Sequence, residues 1–107
     1  MANAFKNAGA ALTTGGADIY TAGAGVSAVI HSIYVANIYG TNDATVDIKV
    51  TTDNGSTYYH IAKTVPVPAD SSLVMDKPVN LEPTDKIHMP ASANGDLETY
   101  MAILEIT

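Results

Sequence analysis

Apolar and polar positions alternate with a period of two along most of this chain. Ala44, Val46, Ile48 and Val50 take turns with Thr45, Asp47, Lys49 and Thr51 before Asp53-Asn54-Gly55-Ser56 interrupts the run. Successive side chains of a strand point to opposite faces, so this segment has one buried face and one wet face. The spacing predicts a strand over Ala44–Thr52 and its hairpin partner over Thr57–Val65. Asn54-Gly55 joins them, because both residues tolerate positive φ. The stretch from Val26 to Tyr39 reads differently, with Val29, Ile30, Ile33, Tyr34, Val35 and Ile38 filling both faces. β-Branched and aromatic residues dominate it, which predicts a strand buried on both sides rather than a helix.

Further along, Gly40-Thr41-Asn42-Asp43 reads as a turn, and Pro66-Val67-Pro68-Ala69-Asp70 as a break in the sheet. Proline has no N–H to give to a ladder. Short strands are expected at Leu73–Met75, Val79–Leu81 and Lys86–Met89, with a type I turn at Glu82-Pro83-Thr84-Asp85 between the last two. Asn94-Gly95 marks a second tight reversal, and Leu97–Thr107 closes the chain as a long strand. At the other end, a strand is expected near Asp18–Thr21. The first 16 residues are rich in Ala, Gly, Asn and Thr with few large apolar groups, and they predict a flexible or partner-bound arm. The sum is about eight short strands, the signature of an antiparallel β-sandwich or jelly-roll-like domain. The expected organisation is an arm over 1–16 and a single all-β domain over 17–107.

Bulk composition narrows the function classes. A chain of 107 residues fits one domain and buries roughly two-thirds of its unfolded surface. Only 15% of its residues are charged, below the usual quarter, which leaves much uncharged surface for self-association or a partner. The net charge is −6, arginine is absent, and Lys6, Lys49, Lys63, Lys77 and Lys86 are scattered singly. Phosphate binding needs clustered cations, so neither nucleic acid nor an anionic membrane is an expected partner. There is no cysteine, hence no disulfide and no thiol chemistry. The first residues, Met1-Ala2-Asn3-Ala4-Phe5-Lys6, lack the pattern of a signal peptide, so synthesis in a cytoplasm is expected.

No catalytic constellation emerges. His31, His60 and His88 fall on separate expected strands, without the close spacing that delivers zinc ligands, so no metal or cofactor is expected. Asp53-Asn54-Gly55 lacks the closing glutamate of a calcium loop. Asp43, Asp70, Asp85 and Asp96 leave room only for a shallow ion site between loops. Gly23-Ala24-Gly25 precedes a strand, where a dinucleotide-binding loop precedes a helix. Ser27 and His31, four residues apart on a strand, are separated by about 13 Å and have no paired acid. No pair among the eleven carboxylates is singled out for glycoside hydrolysis. Tyr34, Tyr39, Tyr58, Tyr59 and Tyr100 are candidates for a sugar-binding face, although strand tyrosines more often pack or dock. Neighbours alternate faces, so one of Tyr58 and Tyr59 must lie on a surface or interface.

Three stretches carry a resemblance: IYTAGAGVSAVIHSIYVAN (Ile19–Asn37), KTVPVPADSSLVMDKPVNLEPTDKI (Lys63–Ile87) and ASANGDLETYMAILEIT (Ala91–Thr107). Together they resemble small β-sandwich virion proteins of tailed bacteriophages, which tend to carry proline where this chain has Gly23. The resemblance implies a non-enzymatic part of a phage particle, made in the host cytoplasm. It further implies a capsid decoration (cement) protein that bridges neighbouring capsomers beside the major capsid protein, as a homotrimer on threefold axes. The alternative is a tail, baseplate or fibre module that binds a host-surface glycan. Under either reading the candidate partner contacts are Phe5, Lys6 and Leu12 in the arm, with Tyr58 and Tyr59 in the hairpin.

Overall fold

The computed structural model describes residues 2–53 and 55–107. Among them are nine strands: β1 (Asn3–Ala11), β2 (Asp18–Thr21), β3 (Ser27–Asn37), β4 (Ala44–Thr51), β5 (Tyr58–Val67), β6 (Ser72–Met75), β7 (Val79–Leu81), β8 (Lys86–His88) and β9 (Leu97–Ile106). They form two antiparallel sheets, the sandwich that the period-two pattern predicts. One sheet has the order β1-β9-β3-β6, with β7 also paired to β3, and the other has β2-β8-β4-β5. The pairing is nested: first strand with last, second with second-last, β3 with β6 and β7, and β4 with β5.

The core lies between the two sheets. From the five-stranded sheet it takes Ile30, Ile33, Val35, Met101 and Ile103, and from the four-stranded sheet Val46, Ile48 and Ile87, all at most 1% exposed. Burying a side chain of this size contributes roughly 1.5–3 kcal/mol. Two polar clamps tie the sheets together at opposite ends. Buried Asn37, the last residue of β3, donates from Nδ2 to the carbonyls of Asn42 and Val67 (both 2.9 Å) and accepts from the Tyr39 N–H. At the other end the Tyr20 hydroxyl on β2 donates to Glu105 Oε2 on β9 at 2.5 Å. Burial above all, then the hydrogen bond and charge of Glu105, push the Tyr20 phenol well above its ordinary value.

The hairpin of β4 and β5 forms as expected, with residues 52–57 as its loop and Gly55 at φ 98°. Asn54, half of the expected turn pair, lies outside the described residues. Asp53 organises this loop: its Oδ1 accepts the Thr57 N–H (2.7 Å) and the Thr51 hydroxyl (2.9 Å), which hold its carboxyl below the usual range.

Several local expectations need correction. Pro66 lies within β5, opposite Thr45, because β5 is an edge strand where a missing N–H can face solvent. Glu82–Asp85 is a type II turn, since Thr84 at its third position has φ 74°. That conformation is held by the Thr84 N–H to Ala22 and the Asp85 N–H to Glu82. Asn94-Gly95 does not close a hairpin, because β8 and β9 belong to different sheets and the loop crosses between them. β3 is buried on one face alone: Ala28, Ile30, Ile33, Val35 and Asn37 point inward, while Tyr34 stands 43% exposed on the other side.

The segment expected as an arm lies against its own chain. β1 runs in unbroken register along β9, from Asn3 opposite Ile106 to Ala11 opposite Glu98. Met1, at its head, lies outside the described residues. Leu12, next after β1, is 1% exposed in the core, and its N–H donates to the Leu97 carbonyl at 2.9 Å. The physical reason is alternation: Ala8, Ala10 and Leu12 share the inward side of the ladder, and small residues fit against a core already filled by β9.

Two stability measurements follow. Leu12→Ala is expected to cost about 2–5 kcal/mol in denaturant unfolding, whereas a free arm would make it neutral. Tyr20→Phe is expected to cost about 1 kcal/mol at neutral pH. It should also flatten the alkaline stability profile. Below pH 10.0, the ordinary phenol value, folded and unfolded chains both hold the Tyr20 proton. Above it the unfolded chain releases the proton first, so wild-type stability falls as pH rises, and the variant should lose that component.

Candidate functional site

The outer face of the five-stranded sheet carries large apolar groups that no described residue covers. Alternation along β9 sends Leu97, Met101 and Ile103 inward and Tyr100, Ala102, Leu104 and Ile106 outward. The ladder registers align these outward groups into rows across the sheet. One row runs Phe5–Leu104–Val29, and another runs Gly9–Tyr100–Tyr34–Val74. Phe5 is 85% exposed, and Tyr34, Tyr100 and Val74 are each about half exposed. The rings of Tyr34 and Tyr100 are tilted against each other with centroids 6.4 Å apart. In a further row, Ala11–Glu98–Ala36–Ser72, Glu98 supplies a single formal charge.

Beside the tyrosine pair lies a shallow groove of about 430 Å³, floored by Ala10, Ala11 and Ala36 and edged by Tyr34, Tyr100 and Glu98. Gly9 keeps this region low. A side chain there would approach the Thr99 carbonyl at 3.3 Å and the Tyr100 ring at 3.7 Å. A ligand site of ordinary affinity encloses most of its ligand, and this groove is open along its length.

The outer face of the four-stranded sheet has the opposite character. Asp18, His88, Lys49 and His60 are successive ladder partners, one row across all four strands. His88 Nδ1 lies 2.9 Å from Asp18 Oδ1, and Lys86 Nζ lies 3.6 Å from the other oxygen of that carboxylate. His60 Nε2 approaches Asp47 Oδ2 at 3.8 Å. Tyr58 stacks on His88 with ring centroids 5.2 Å apart, and Lys49 Nζ sits 5.9 Å from the Tyr58 ring centre. These are exchanges of charge on a wetted surface, each worth about 1 kcal/mol or less.

Histidines two strands apart are separated by roughly 10 Å, too far to share one ion. No cluster of three or more His, Cys, Asp or Glu that could hold a metal occurs among the described residues. The acidic loop residues are also dispersed into structural bonds. Asp43 accepts the Ala69 N–H, and buried Asp85 accepts the Glu82 N–H.

The residues singled out from sequence do not converge. Phe5 is on the apolar face, and Lys6, its neighbour, points to the other side of β1. Leu12 is a core residue and is removed from the candidate contacts by its burial. Tyr58 belongs to the charged face, whereas Tyr59 alternates away from it, 62% exposed near the hairpin end. The five tyrosines therefore make no common sugar face; Tyr34 and Tyr100 alone are paired. Val29, Val74 and Leu104, which complete the apolar rows, were missed. For Val29 and Leu104 the signal was present in Val26–Tyr39 and Leu97–Thr107, where both faces of a strand are apolar; Val74, in the short run Leu73–Met75, had no such signal.

No family model and no curated protein matches this sequence. Among solved structures, the fold is similar to a chain of the acidic stable capsid structure of Helicobacter pylori bacteriophage KHP30. The TM-score is 0.56 at 8% identity, with 100% of this chain and 89% of that one covered. It is also similar to part of a chain in the crystal structure of the T13 IBDV viral particle. There the TM-score is 0.53 at 12% identity, with 96% of this chain and 30% of the other covered. At these identities the likeness is one of fold.

Proposed function

We propose that this protein is a non-enzymatic structural component of a bacteriophage particle, a capsid decoration protein made in the host cytoplasm and seated on the assembled shell. The observation that carries this reading is the uncovered apolar face of the five-stranded sheet. Monomeric proteins seldom leave rows of large apolar side chains like these to water, even with the polar row Asn7–Ala102–Ser32 between them, and such a face marks a docking surface. Fold alone does not assign function. Two features of the fold nevertheless support the reading. The nested strand order is that of a jelly roll, an architecture used by viral capsid proteins. The KHP30 capsid chain it resembles is also little longer than this one, so a sandwich of this size has a precedent within a phage shell.

In this reading the major capsid protein is the partner. The apolar rows around Phe5, Tyr34, Tyr100 and Val74 lie against the shell, and the charged face with Asp18, His88, Lys49 and His60 meets solvent. Bridging neighbouring capsomers adds contact area against the pressure of packed DNA, and many copies share the load, so each contact can be weak. A second reading, a tail or fibre module that binds a host glycan, is favoured by one observation, the open groove between Tyr34, Tyr100 and Glu98.

Copy number separates the two. Quantitative mass spectrometry of purified particles is expected to find hundreds of copies in fixed ratio to the capsid protein; a few dozen or fewer would place the chain in the tail, and absence would end the virion reading. The paired variant Tyr34→Lys/Val74→Lys changes exposed positions, so each substitution should shift stability by less than about 0.5 kcal/mol. Particle occupancy should nevertheless fall at least about tenfold, because two lysines would have to be desolvated at the contact. Undiminished occupancy would move the docking surface elsewhere.

A further inference from the structure

The sandwich has several sheet edges, and they are not protected alike. β5 carries Pro66, register breaks near Ala62 and Val65, and Lys63. β2 is four residues long and contains a bulge, and the edge opposite β1 is split between the short strands β6 and β7. Prolines, bulges, lysines and short strands are the devices that stop an edge from pairing with another chain. β1 has nine residues in unbroken register, with neither proline nor bulge and with Lys6 as its one charge, and among the described residues it pairs with β9 alone.

The hydrogen-bond phase of β1 tells which of its groups are open. Ala2 and Thr107 exchange both N–H···O bonds, and the Leu12 N–H reaches Leu97 in the same register. Bonded and non-bonded pairs alternate along an antiparallel ladder, so Ala4, Lys6, Ala8 and Ala10 are spent on β9. Asn3, Phe5, Asn7, Gly9 and Ala11 direct their N–H and C=O groups to the open side.

We infer that β1 is a self-pairing edge, where a second copy of this chain adds its own β1 antiparallel about a twofold axis at Asn7. In that register Asn3 lies opposite Ala11, Phe5 opposite Gly9, and Asn7 opposite itself. Every opposed pair then consists of two residues with open groups, which gives five bonded rungs, the most that this strand allows. A shift by two residues in either direction gives up at least one rung.

The side chains agree with the same register. Phe5, 85% exposed in the single chain, comes to lie over the partner copy's bare Gly9, beside the ring of Tyr100. An aromatic residue covering a glycine across the ladder is a known stabiliser of strand pairs. The two Asn7 amides face each other at the axis, and Lys6 meets Ala8 rather than a like charge. An interface in which residue i meets j and j meets i is the isologous kind that closes as a dimer. It merges the two five-stranded sheets into one and doubles the apolar face on the same side.

Sedimentation equilibrium on the full chain, from micromolar to millimolar concentration, tests this directly. A species of twice the 11.1 kDa protomer mass is expected. Asn7→Pro is the decisive variant, because the Asn7 N–H faces away from β9 and its loss leaves the intrachain ladder whole. It should weaken the dimer about a hundredfold through the two symmetric bonds it removes, with the thermal transition of the monomer retained. Phe5→Ala, which touches no core residue, should weaken it by about tenfold or more and serves if Asn7→Pro fails to fold. Amide exchange gives a second readout: the Phe5, Asn7 and Gly9 amides should be protected in the dimer and exchange freely after dilution. A monomer at all concentrations, a trimer, or a dimer indifferent to both variants would overturn the inference.

Discussion

Two packed sheets can bury two of their four faces, and this chain has apolar side chains on three. That mismatch governs the rest of the structure. The inward faces of β3, β9, β4 and β8 close over one another and supply the core around Ile33, Ile48, Ile87 and Met101. The outward face of β4 and β8 is charged and satisfied by water. The outward face of β3, β9 and β1 carries one formal charge, Glu98, and Phe5, Tyr34, Tyr100 and Val74 stand on it uncovered by any described residue. The sandwich thus has one charged exterior and one that is largely apolar.

The sheets are held in register by few but well-placed polar bonds. Asn37 and the Tyr20–Glu105 pair sit at opposite ends of the sandwich, and both join one sheet to the other. Among the described residues no buried side-chain polar atom lacks a hydrogen-bond partner. The nested pairing makes most contacts distant in sequence, since β1 must find β9 at the far end of the chain. Such topologies fold slowly, because loop closure must precede the contacts that reward it. A β1 with one free edge is the natural consequence of an order in which the first strand pairs last.

Among its described residues the molecule offers broad surfaces and an open groove rather than an enclosed cleft. Asp18, His88 and His60 lie along one wetted row while His31 is on the other sheet, the tyrosines are divided between the two sheets, and the groove is open. The proposed role on a shell rests on this division between faces, one with apolar area and one with charge. An open β1 edge adds a second mode of contact, one that uses backbone groups and is indifferent to the sparse charge of the chain.

Much of this was legible in the residues. Period-two alternation in Ala44–Thr51 was enough to place a half-buried strand, and the Asn54-Gly55 pair in the sequence to place the hairpin, because those preferences act between near neighbours. The absence of arginine and cysteine likewise needed no fold. What the chain by itself left open was which sheet each strand joins. Ala4, Ala8 and Gly9 look like an unstructured arm until β9 is beside them, for a ladder partner nearly a hundred residues away has no local signature. In the same way, the apolar run of β3 predicts burial on both faces. Only the tertiary structure decides that one face is core and the other is exterior, because that depends on how many layers the chain has left to lay over it. The sequence by itself determined which side chains seek burial; packing of the two sheets decided which of them found it inside the sandwich and which were left on its exterior.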